Sequence, residues 1–351
     1  MLTTATLLTM ALAGNVQAAE IRSVGPDGEA AVDASTIELT DDQIAQIKEG
    51  GYTAAICLHY GGNDWSTSQQ KGLEDTFGEL GIEIVAVTDA NFSAETQVSN
   101  IETVMAKKPD ILVSIPTDAT ATADAYKQAA AAGIKIIFMD QRANGLEAGK
   151  DYVSVVSADN YGNGYASGTV LGDALGGKGK VAMVYYDANF APTNQRDEGF
   201  RDAMKNYPDI EIVTEQGFTD ESGCAEQGDA ILTQFPNIDG IYASWDVPME
   251  GVLSAVRAAG MEGKVTLACN DLGNNVAREI AAGTIAGGGA QMPYDQGVAE
   301  AKLAALSLLG EETPSYVAVP AETVTHENVL EAYTDVYHVE TPDWLKEAYV
   351  D

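Results

Sequence analysis

From residue 53 onward, short apolar segments alternate with segments of helical periodicity. The apolar run Thr53–Leu58 is followed by residues 66–80, where Leu73 and Phe77 recur at helical spacing and Gly81 marks the helix end. Strands are predicted after it, with helices between them, at 82–87, 111–115, 135–139 and 153–156. Strands and helices that alternate in this way predict βαβ units with a parallel sheet.

The same alternation starts again after residue 160. Predicted helices at 161–175, 194–206, 224–234, 248–259, 276–282 and 296–309 enclose predicted strands at 180–184, 211–214, 240–243, 265–268 and 285–289. At 351 residues the chain is longer than a single core supports. The two runs therefore predict an α/β protein of two Rossmann-like lobes with parallel sheets and right-handed crossovers.

Segments of different character flank the two runs. Residues 1–19 contain no charged side chain and include an apolar stretch, which predicts a signal peptide cleaved near Ala18 or Ala19 and a periplasmic location. Residues 20–52 form an N-terminal extension, in which Thr40 and Gln43 have capping-box spacing and predict a short helix. Residues 326–351 form a polar C-terminal extension to which the sequence assigns no chemistry.

Charge and composition exclude several classes of function. The chain has 53 acidic and 19 basic residues, for a net charge of −34, so its field repels nucleic acid and anionic membranes. The three cysteines (Cys57, Cys224, Cys269) have no CxxC spacing and the three histidines are scattered, so we predict no metal site and no cofactor. Cys57 and Cys269 lie in apolar runs and are expected to be buried, while Cys224 is left open as a free thiol.

Motifs of enzymes are missing from the sequence. It contains no GxxxxGK[ST] phosphate loop, no GxSxG elbow and no HExxH helix. Residues 161–168 (YGNGYASG) lack dinucleotide-loop spacing, and we interpret these glycines as sites of helix packing. We therefore predict that the chain is not an enzyme. The alternative is an exported sugar-modifying enzyme, with Asp140 and Asp271 as its one candidate acid–base pair.

Polar and aromatic side chains follow nearly every predicted strand, at the sheet edge where open α/β proteins bind ligands. Amides, carboxylates and arginine suit vicinal hydroxyls, and aromatic faces cover the C–H side of a sugar ring. Taken singly, each of these residues is weak evidence for ligand binding. An Asp after a strand often only caps the next helix, and a Trp in such a loop often only packs against the protein. The candidate ligand-binding residues are Asn63, Trp65, Asp118, Asp140, Gln141, Arg142, Arg196, Phe218, Trp245, Asp271 and Gln291.

At these loops the sequence resembles the ribose-type periplasmic sugar-binding proteins of ABC importers, over roughly residues 53–320. Short segments similar to those of the family occur in the same order along this chain. Each segment is brief, but the ordered series as a whole is specific for the family. They are Asn63-Asp64-Trp65, Pro116-Thr117-Asp118, Met139-Asp140-Gln141-Arg142, Ser157-Ala158-Asp159-Asn160, Arg196-Asp197-Glu198-Gly199-Phe200, Ser244-Trp245-Asp246, Asn270-Asp271 and Gln291-Met292-Pro293.

The resemblance implies a type I periplasmic binding protein fold with a three-segment hinge near 157–159, 291–293 and residue 320. The N-terminal lobe would comprise 53–157 plus 292–320, and the C-terminal lobe 158–291 plus 321–351. The implied roles are stacking by Trp65 beside Asn63, with Phe218 as a second stacking aromatic. Asp140 would accept from hydroxyls, Arg196 and Asp271 would hold the ring, and Gln291 would contact the ligand near the hinge.

The resemblance further implies a monomer that captures a sugar or sugar alcohol and delivers it to ABC permease membrane subunits. Two departures leave the sugar open. Gln141 stands where the family commonly has Arg, with Arg142 one place later, and Trp245 stands where it often has Asn. An alternative function is an exported sugar sensor that presents its closed form to a membrane receptor. A sugar-responsive repressor is excluded because residues 20–50 contain only Arg22 and Lys48 as basic residues.

Overall fold

The computed structural model describes residues 21–350, and within them the chain forms two separate β-sheets with helices packed against each. The predicted signal peptide lies outside the described residues. The strands of the first sheet are β1 (Val32–Asp33), β2 (Thr53–Leu58), β3 (Glu83–Asp89), β4 (Ile111–Ser114), β5 (Lys135–Met139), β6 (Ser154–Ala158) and β12 (Tyr316–Val319). They are parallel, in the order β1-β12-β6-β5-β4-β2-β3.

The second sheet carries one antiparallel strand at its edge. Its strands are β7 (Lys178–Tyr186), β8 (Asp209–Phe218), β9 (Gly240–Ala243), β10 (Thr266–Cys269), β11 (Gly287–Ala290) and β13 (Glu322–Thr325). Their order is β13-β11-β10-β9-β7-β8, and β13 runs antiparallel to β11. Central strands such as β4 and β9 are buried along their whole length, because helices cover parallel sheets on both faces.

The helices connect the strands of each sheet and pack on them. They are α1 (Asp41–Gly50), α2 (Asp64–Glu79), α3 (Ala94–Ala106), α4 (Ala123–Ala131), α5 (Asn160–Ala174), α6 (Ala191–Met204), α7 (Cys224–Gln234), α8 (Asp246–Ala258), α9 (Asn274–Ala281), α10 (Pro293–Leu308), α11 (Val329–Tyr337) and α12 (Asp343–Ala348). None of the helices in this part of the chain is long and apolar enough to span a bilayer.

The chain passes between the two sheets three times, as the predicted fold class requires. The crossings fall between β6 and β7, between β11 and β12, and between β12 and β13. Two similar α/β lobes result, and the prediction of a doubled Rossmann-like architecture is confirmed. The sequence pattern does not predict β12, β13, α11 or α12, because these elements are short and depend on pairing with distant parts of the chain.

Two of the three glycines of 161–168, Gly164 and Gly168, serve helix packing, as the sequence predicts, whereas a Cβ on Gly162 would meet the Asp159 side chain that caps the same helix. A Cβ added to Gly164 in α5 would lie 1.8 Å from the Arg196 carbonyl oxygen in α6, and one added to Gly168 would lie 2.6 Å from the Ala203 Cβ. On the facing helix, a Cβ on Gly199 would approach the Tyr161 carbonyl oxygen to 2.1 Å. The two backbones are therefore in close contact, and this contact fixes the position of α6.

The N-terminal extension joins both lobes. The predicted capping box is confirmed, since Thr40 and Gln43 cap α1 reciprocally. Residues 32–33 extend the first sheet beside β12, while the backbone N–H groups of Arg22 and Ser23 donate to the Asp159 carboxylate (2.9 and 2.8 Å), which also caps α5. This extension therefore lies across the first crossing point between the lobes.

Candidate ligand-binding site

A cavity lies between the lobes, at the carboxyl ends of the strands of both sheets. The first lobe contributes residues that follow β2, β3, β4 and β5: His59, Tyr60, Asn63, Trp65, Phe92, Ile115 and Asp140. The second lobe contributes Tyr186, Phe190, Pro192, Thr193, Arg196, Trp245, Asp246 and Asp271, and Gln291 follows β11 at the second crossing.

Arg196 is the charged centre of the cavity and is 5% exposed. Its Nη1 donates to Asp271 Oδ2 (3.0 Å) and to the Ser244 carbonyl (3.2 Å), and its Nε donates to Asn160 Oδ1 (2.9 Å). These bonds hold the guanidinium plane in one orientation, because Arg presents its donors in a rigid fork. Arg196 is therefore preorganised for an acceptor in the cavity.

Asp140 follows β5 in a left-handed backbone conformation, with φ +53°. Its Oδ1 accepts from Ser157 Oγ (3.0 Å), the Ala158 N–H (3.2 Å) and Asn160 Nδ2 (3.3 Å). Burial raises the pKa of the Asp140 carboxyl, and Arg196 and the three donors oppose that rise. Non-glycine residues with positive φ concentrate at functional sites, because the surrounding structure must enforce them.

Asp271 has the same backbone feature in the second lobe, with φ +69°. Its Oδ2 accepts from Arg196, and its Oδ1 accepts from Gln291 Nε2 at 2.8 Å. Gln291 is 3% exposed, and its Oε1 has no hydrogen-bond partner among the described residues. A buried amide oxygen without a partner is costly, so a hydroxyl or amine of a ligand would stabilise this site.

Aromatic rings form the apolar walls of the cavity. His59 stacks on Phe190 across the cleft, with centroids 5.7 Å apart and planes 19° apart, and meets Trp65 edge-on at 5.7 Å. Burial lowers the pKa of His59 to about 3, so its imidazole is neutral at physiological pH. On the other side Tyr186 packs edge-on against Trp245 (5.6 Å). The cavity thus combines a polar centre with flat apolar faces.

Asp246 completes the polar lining at the N-terminus of α8. Its Oδ1 accepts from the Val247 N–H (2.8 Å) and its Oδ2 from the Gly273 N–H (3.0 Å). Burial, together with the charge of Asp271, raises the pKa of Asp246. The buried surroundings therefore favour the neutral form of this carboxyl group.

The cavity brings together seven of the predicted site residues: Asn63, Trp65, Asp140, Arg196, Trp245, Asp271 and Gln291. Four others lie elsewhere. Asp118 caps its own loop by accepting from the Thr120 and Ala121 N–H groups, both at 2.8 Å. Phe218 packs behind Trp245, with ring centroids 5.1 Å apart. It supports the wall and does not line the cavity.

Gln141 and Arg142 also lie outside the cavity, although they directly follow Asp140. Gln141 joins the lobes, since its Nε2 donates to the Pro116 carbonyl (2.8 Å) and its Oε1 accepts from the Ala191 N–H (3.0 Å). Arg142 forms a bidentate pair with Asp27 of the N-terminal extension, at 2.6 and 2.7 Å. Both side chains are held by partners that local sequence spacing does not reveal.

Replacing Arg142 by alanine is expected to leave ligand affinity unchanged to within about twofold, since the guanidinium points to Asp27. We expect the free energy of unfolding to fall by no more than about 1 kcal/mol, as for other partly exposed ion pairs. Titration calorimetry and urea unfolding measure the two quantities. An affinity loss of about tenfold would show that Arg142 contacts the ligand in solution.

Several lining residues escaped the sequence prediction. His59, Tyr60 and Asp246 lie in loops that directly follow strands, and this position alone could have identified them as candidate lining residues. Phe92 follows β3, has φ +57° and stacks on Tyr60 at 4.3 Å. The rule that finds Asp140 after β5 also finds Phe92 once the loop after β3 is included.

The described residues show no metal centre and no disulfide. No group of three or more His, Cys, Asp or Glu in residues 21–350 is placed to hold a metal ion. Cys57, Cys224 and Cys269 are free and buried, and burial raises the pKa of the Cys224 thiol to about 12. A thiol with so high a pKa is unreactive at neutral pH.

Fold and cavity together define a two-lobed α/β binding protein. The periplasmic binding protein domain family matches residues 54–312, and the chain belongs to this family. The ribose import binding protein of Salmonella typhimurium is 24% identical over 272 residues, which cover 78% of this chain and 90% of that protein. The D-ribose/D-allose-binding protein of Pseudomonas aeruginosa is 29% identical over 273 residues, or 75% of this chain and 83% of the relative.

Solved structures agree with this assignment. An ABC transporter solute-binding protein of Actinobacillus succinogenes with bound D-allose has a TM-score of 0.73 and 29% identity, covering 79% of this chain and 99% of its own. A solute-binding protein of Agrobacterium vitis with bound α-D-tagatopyranose has a TM-score of 0.76 and 25% identity, covering 83% and 100%. The predicted resemblance to sugar-binding proteins of ABC importers is confirmed.

Proposed function

We propose that this chain is exported, captures a sugar or sugar alcohol between its two lobes and delivers it to the membrane subunits of an ABC permease. The observation that carries the proposal is the convergence of Arg196, Asp140, Asp271 and Gln291 on one aromatic-walled cavity. A fork of N–H donors, carboxylate acceptors and flat rings matches vicinal hydroxyls and the C–H face of a polyol.

Contacts across the cleft support closure of the lobes around the ligand. Asp64 of α2 accepts from Asn274 of α9 through both carboxylate oxygens, at 2.7 and 2.8 Å. Gln141 joins the two lobes on the other side of the cavity, and His59 stacks on Phe190 between them. Because these bonds require the closed arrangement, ligand binding and closure support each other, and a permease recognises the surface that closure creates.

We propose a binding role without catalysis and a monomeric protein. Asp140 and Asp271 were the one candidate acid–base pair. Both carboxyl groups already accept hydrogen bonds from fixed protein donors, and Asp271 is ion-paired with Arg196, so both serve as anchored acceptors in the cavity. Incubation with the bound sugar should return it unchanged. Chromatographic detection of a product would favour the enzyme alternative.

A thermal-shift screen of pentoses, hexoses and sugar alcohols tests the binding role. A ligand at about 100-fold excess over its Kd adds about 2.7 kcal/mol to the free energy of unfolding and raises Tm. Asp140→Asn should weaken binding about 10- to 100-fold, because the new amide keeps an oxygen for its three protein donors but presents an N–H to the ligand.

Asp118→Asn is the matched control for that substitution. It makes the same chemical change in a loop outside the cavity and should leave the thermal shift intact. Equal losses in the two variants would place the ligand outside the cleft. A library without any stabilising member would contradict the proposed function.

A further inference from the structure

The C-terminal extension, residues 326–351, lies beyond the residues that the family matches and packs on the second lobe. Its buried side chains, among them Val329, Val336 and Leu345, belong to the same apolar core as Val276 and Ile280 of α9. The extension therefore moves with the second lobe when the two lobes change their relative position.

The end of α11 nevertheless reaches the first lobe. His338 Nε2 lies 3.0 Å from Asp295 Oδ1, and the imidazole packs on the ring of Tyr294 with centroids 4.4 Å apart. Both partners lie in the first turn of α10. This helix is fixed to α2 of the first lobe, since the Tyr294 hydroxyl donates to Asp75 Oδ2 at 3.0 Å. His338 therefore links the two lobes directly.

A second link between the lobes runs through Tyr333 of α11. Its hydroxyl donates to Asn274 Oδ1, and the backbone N–H and Nδ2 of Asn274 donate to Asp64 of the first lobe, at 2.7 and 2.8 Å. Because Tyr333 holds the amide oxygen of Asn274, the NH₂ group of that amide is turned to Asp64. The extension thus positions the second-lobe half of this contact across the cleft.

Both links lie beside the ligand cavity. Tyr337 of α11 lines a small adjoining cavity together with Trp65, Asp271 and Gln291, and these three residues also line the ligand cavity. The Tyr337 hydroxyl donates to the Leu272 carbonyl at 2.8 Å, which holds the ring in this position. The extension therefore borders the site at the end where Gln291 lies.

We propose that the C-terminal extension is a clasp that holds the lobes closed and slows release of the ligand. This inference rests on the proposed function and adds the element that sets how long the ligand stays bound. His338 and Asp295 lie in different lobes, and so do Asn274 and Asp64, so a rotation that opens the cleft separates both pairs. Bonds that exist in the closed form and are lost in the open form stabilise the closed form.

The clasp acts on release and not on capture. A ligand enclosed between the lobes leaves after they open, so a weaker clasp raises the rate constant of release. The ligand enters the open form, in which the clasp is already broken, so the rate constant of association stays the same. A purely structural role of the extension would not separate the two rate constants in this way.

The release kinetics of His338→Ala test the clasp. Trp65 and Trp245 line the cavity, so stopped-flow tryptophan fluorescence follows binding and release. The probe is the tightest binder of the thermal-shift screen, which includes D-ribose, D-allose, D-tagatose, D-glucose and sorbitol. Loss of the imidazole should speed release about three- to tenfold and leave the association rate constant within about twofold.

His326→Ala is the matched control in the same extension. The His326 Nδ1 lies 3.1 Å from the Ile280 carbonyl, and its ring stacks on Tyr349, so these contacts stay within the second lobe and the extension. This variant should leave both rate constants within about twofold of those of the unaltered chain. Equal acceleration of release in the two histidine variants would show that the extension only stabilises its own lobe, and the clasp would be wrong.

Tyr333→Phe guards against misfolding of His338→Ala, because it removes one hydroxyl and keeps the buried ring. It should speed release about two- to fivefold, since the Asn274 amide is no longer held toward Asp64. Release at the unaltered rate in both Tyr333→Phe and His338→Ala would overturn the clasp while the proposed function stands. If no member of the screen binds, both are wrong.

Discussion

Replacing Arg196 by alanine is expected to abolish measurable ligand binding. Its guanidinium holds Asp271, the Ser244 carbonyl and Asn160 together beside the cavity. Its removal leaves Asp271 buried without its cation, which costs about 3–5 kcal/mol. We expect the free energy of unfolding to fall by about that amount, and ligand affinity to fall by at least about 100-fold. Calorimetry and urea unfolding measure the two effects.

Two further variants separate binding from folding. Arg196→Lys keeps the charge but not the planar fork, so it should fold while losing at least about tenfold in affinity. Arg201→Ala is the matched control on the same helix, because Arg201 pairs with Glu215 at a half-exposed position. The Arg201→Ala substitution should lower the free energy of unfolding by no more than about 1 kcal/mol and leave ligand affinity unchanged. If the Arg196→Ala variant folds and still binds the ligand with unchanged affinity, the proposed binding site is wrong.

Replacing Gly164 by alanine is expected to destabilise the second lobe severely, although it adds one methyl group. The new Cβ would lie 1.8 Å from the Arg196 carbonyl oxygen, a backbone atom that cannot turn aside. Helix α6 must therefore move away from α5. Overpacking of this kind costs about 1–3 kcal/mol and more when backbone must shift. We also expect weaker ligand binding, since α6 carries Arg196.

Gly78→Ala is the matched control for this prediction. Gly78 lies within helix α2, and an added Cβ there has no neighbour within 4 Å. Alanine is a better helix former than glycine, so the free energy of unfolding of this variant should rise by about 0.5–1 kcal/mol. Opposite signs for the two substitutions in urea unfolding would confirm the close helix contact. If Gly164→Ala leaves the free energy of unfolding unchanged, the close contact between α5 and α6 is contradicted.

The fold was predictable because periodicity reports burial directly. The bounds of β2, β5, β9 and α7 match the sequence prediction residue for residue, and each of these elements has a polar or turn-forming residue on at least one side. The C-terminal elements were not predictable in this way. Strand β13 pairs antiparallel with β11, and no local pattern shows which distant strand offers a free edge.

The candidate site was partly predictable for a similar reason. Position after a strand end identifies Asp140 and Asp271, but it does not tell where the next side chain points. The left-handed backbone at Asp140 turns its own carboxylate into the cavity, and Gln141 and Arg142 follow in other directions. Arg142 finds Asp27, a partner 115 residues away. Such a contact is a property of the tertiary structure.

A crystal structure of the mature chain with the tightest ligand of the screen tests the central claim most directly. The account predicts closed lobes and one ligand molecule between them, with ligand oxygens bonded to both Arg196 and Asp140 and a ring or carbon chain against Trp65 or Trp245. A ligand bound at the outer surface, with only solvent between the lobes, would contradict it.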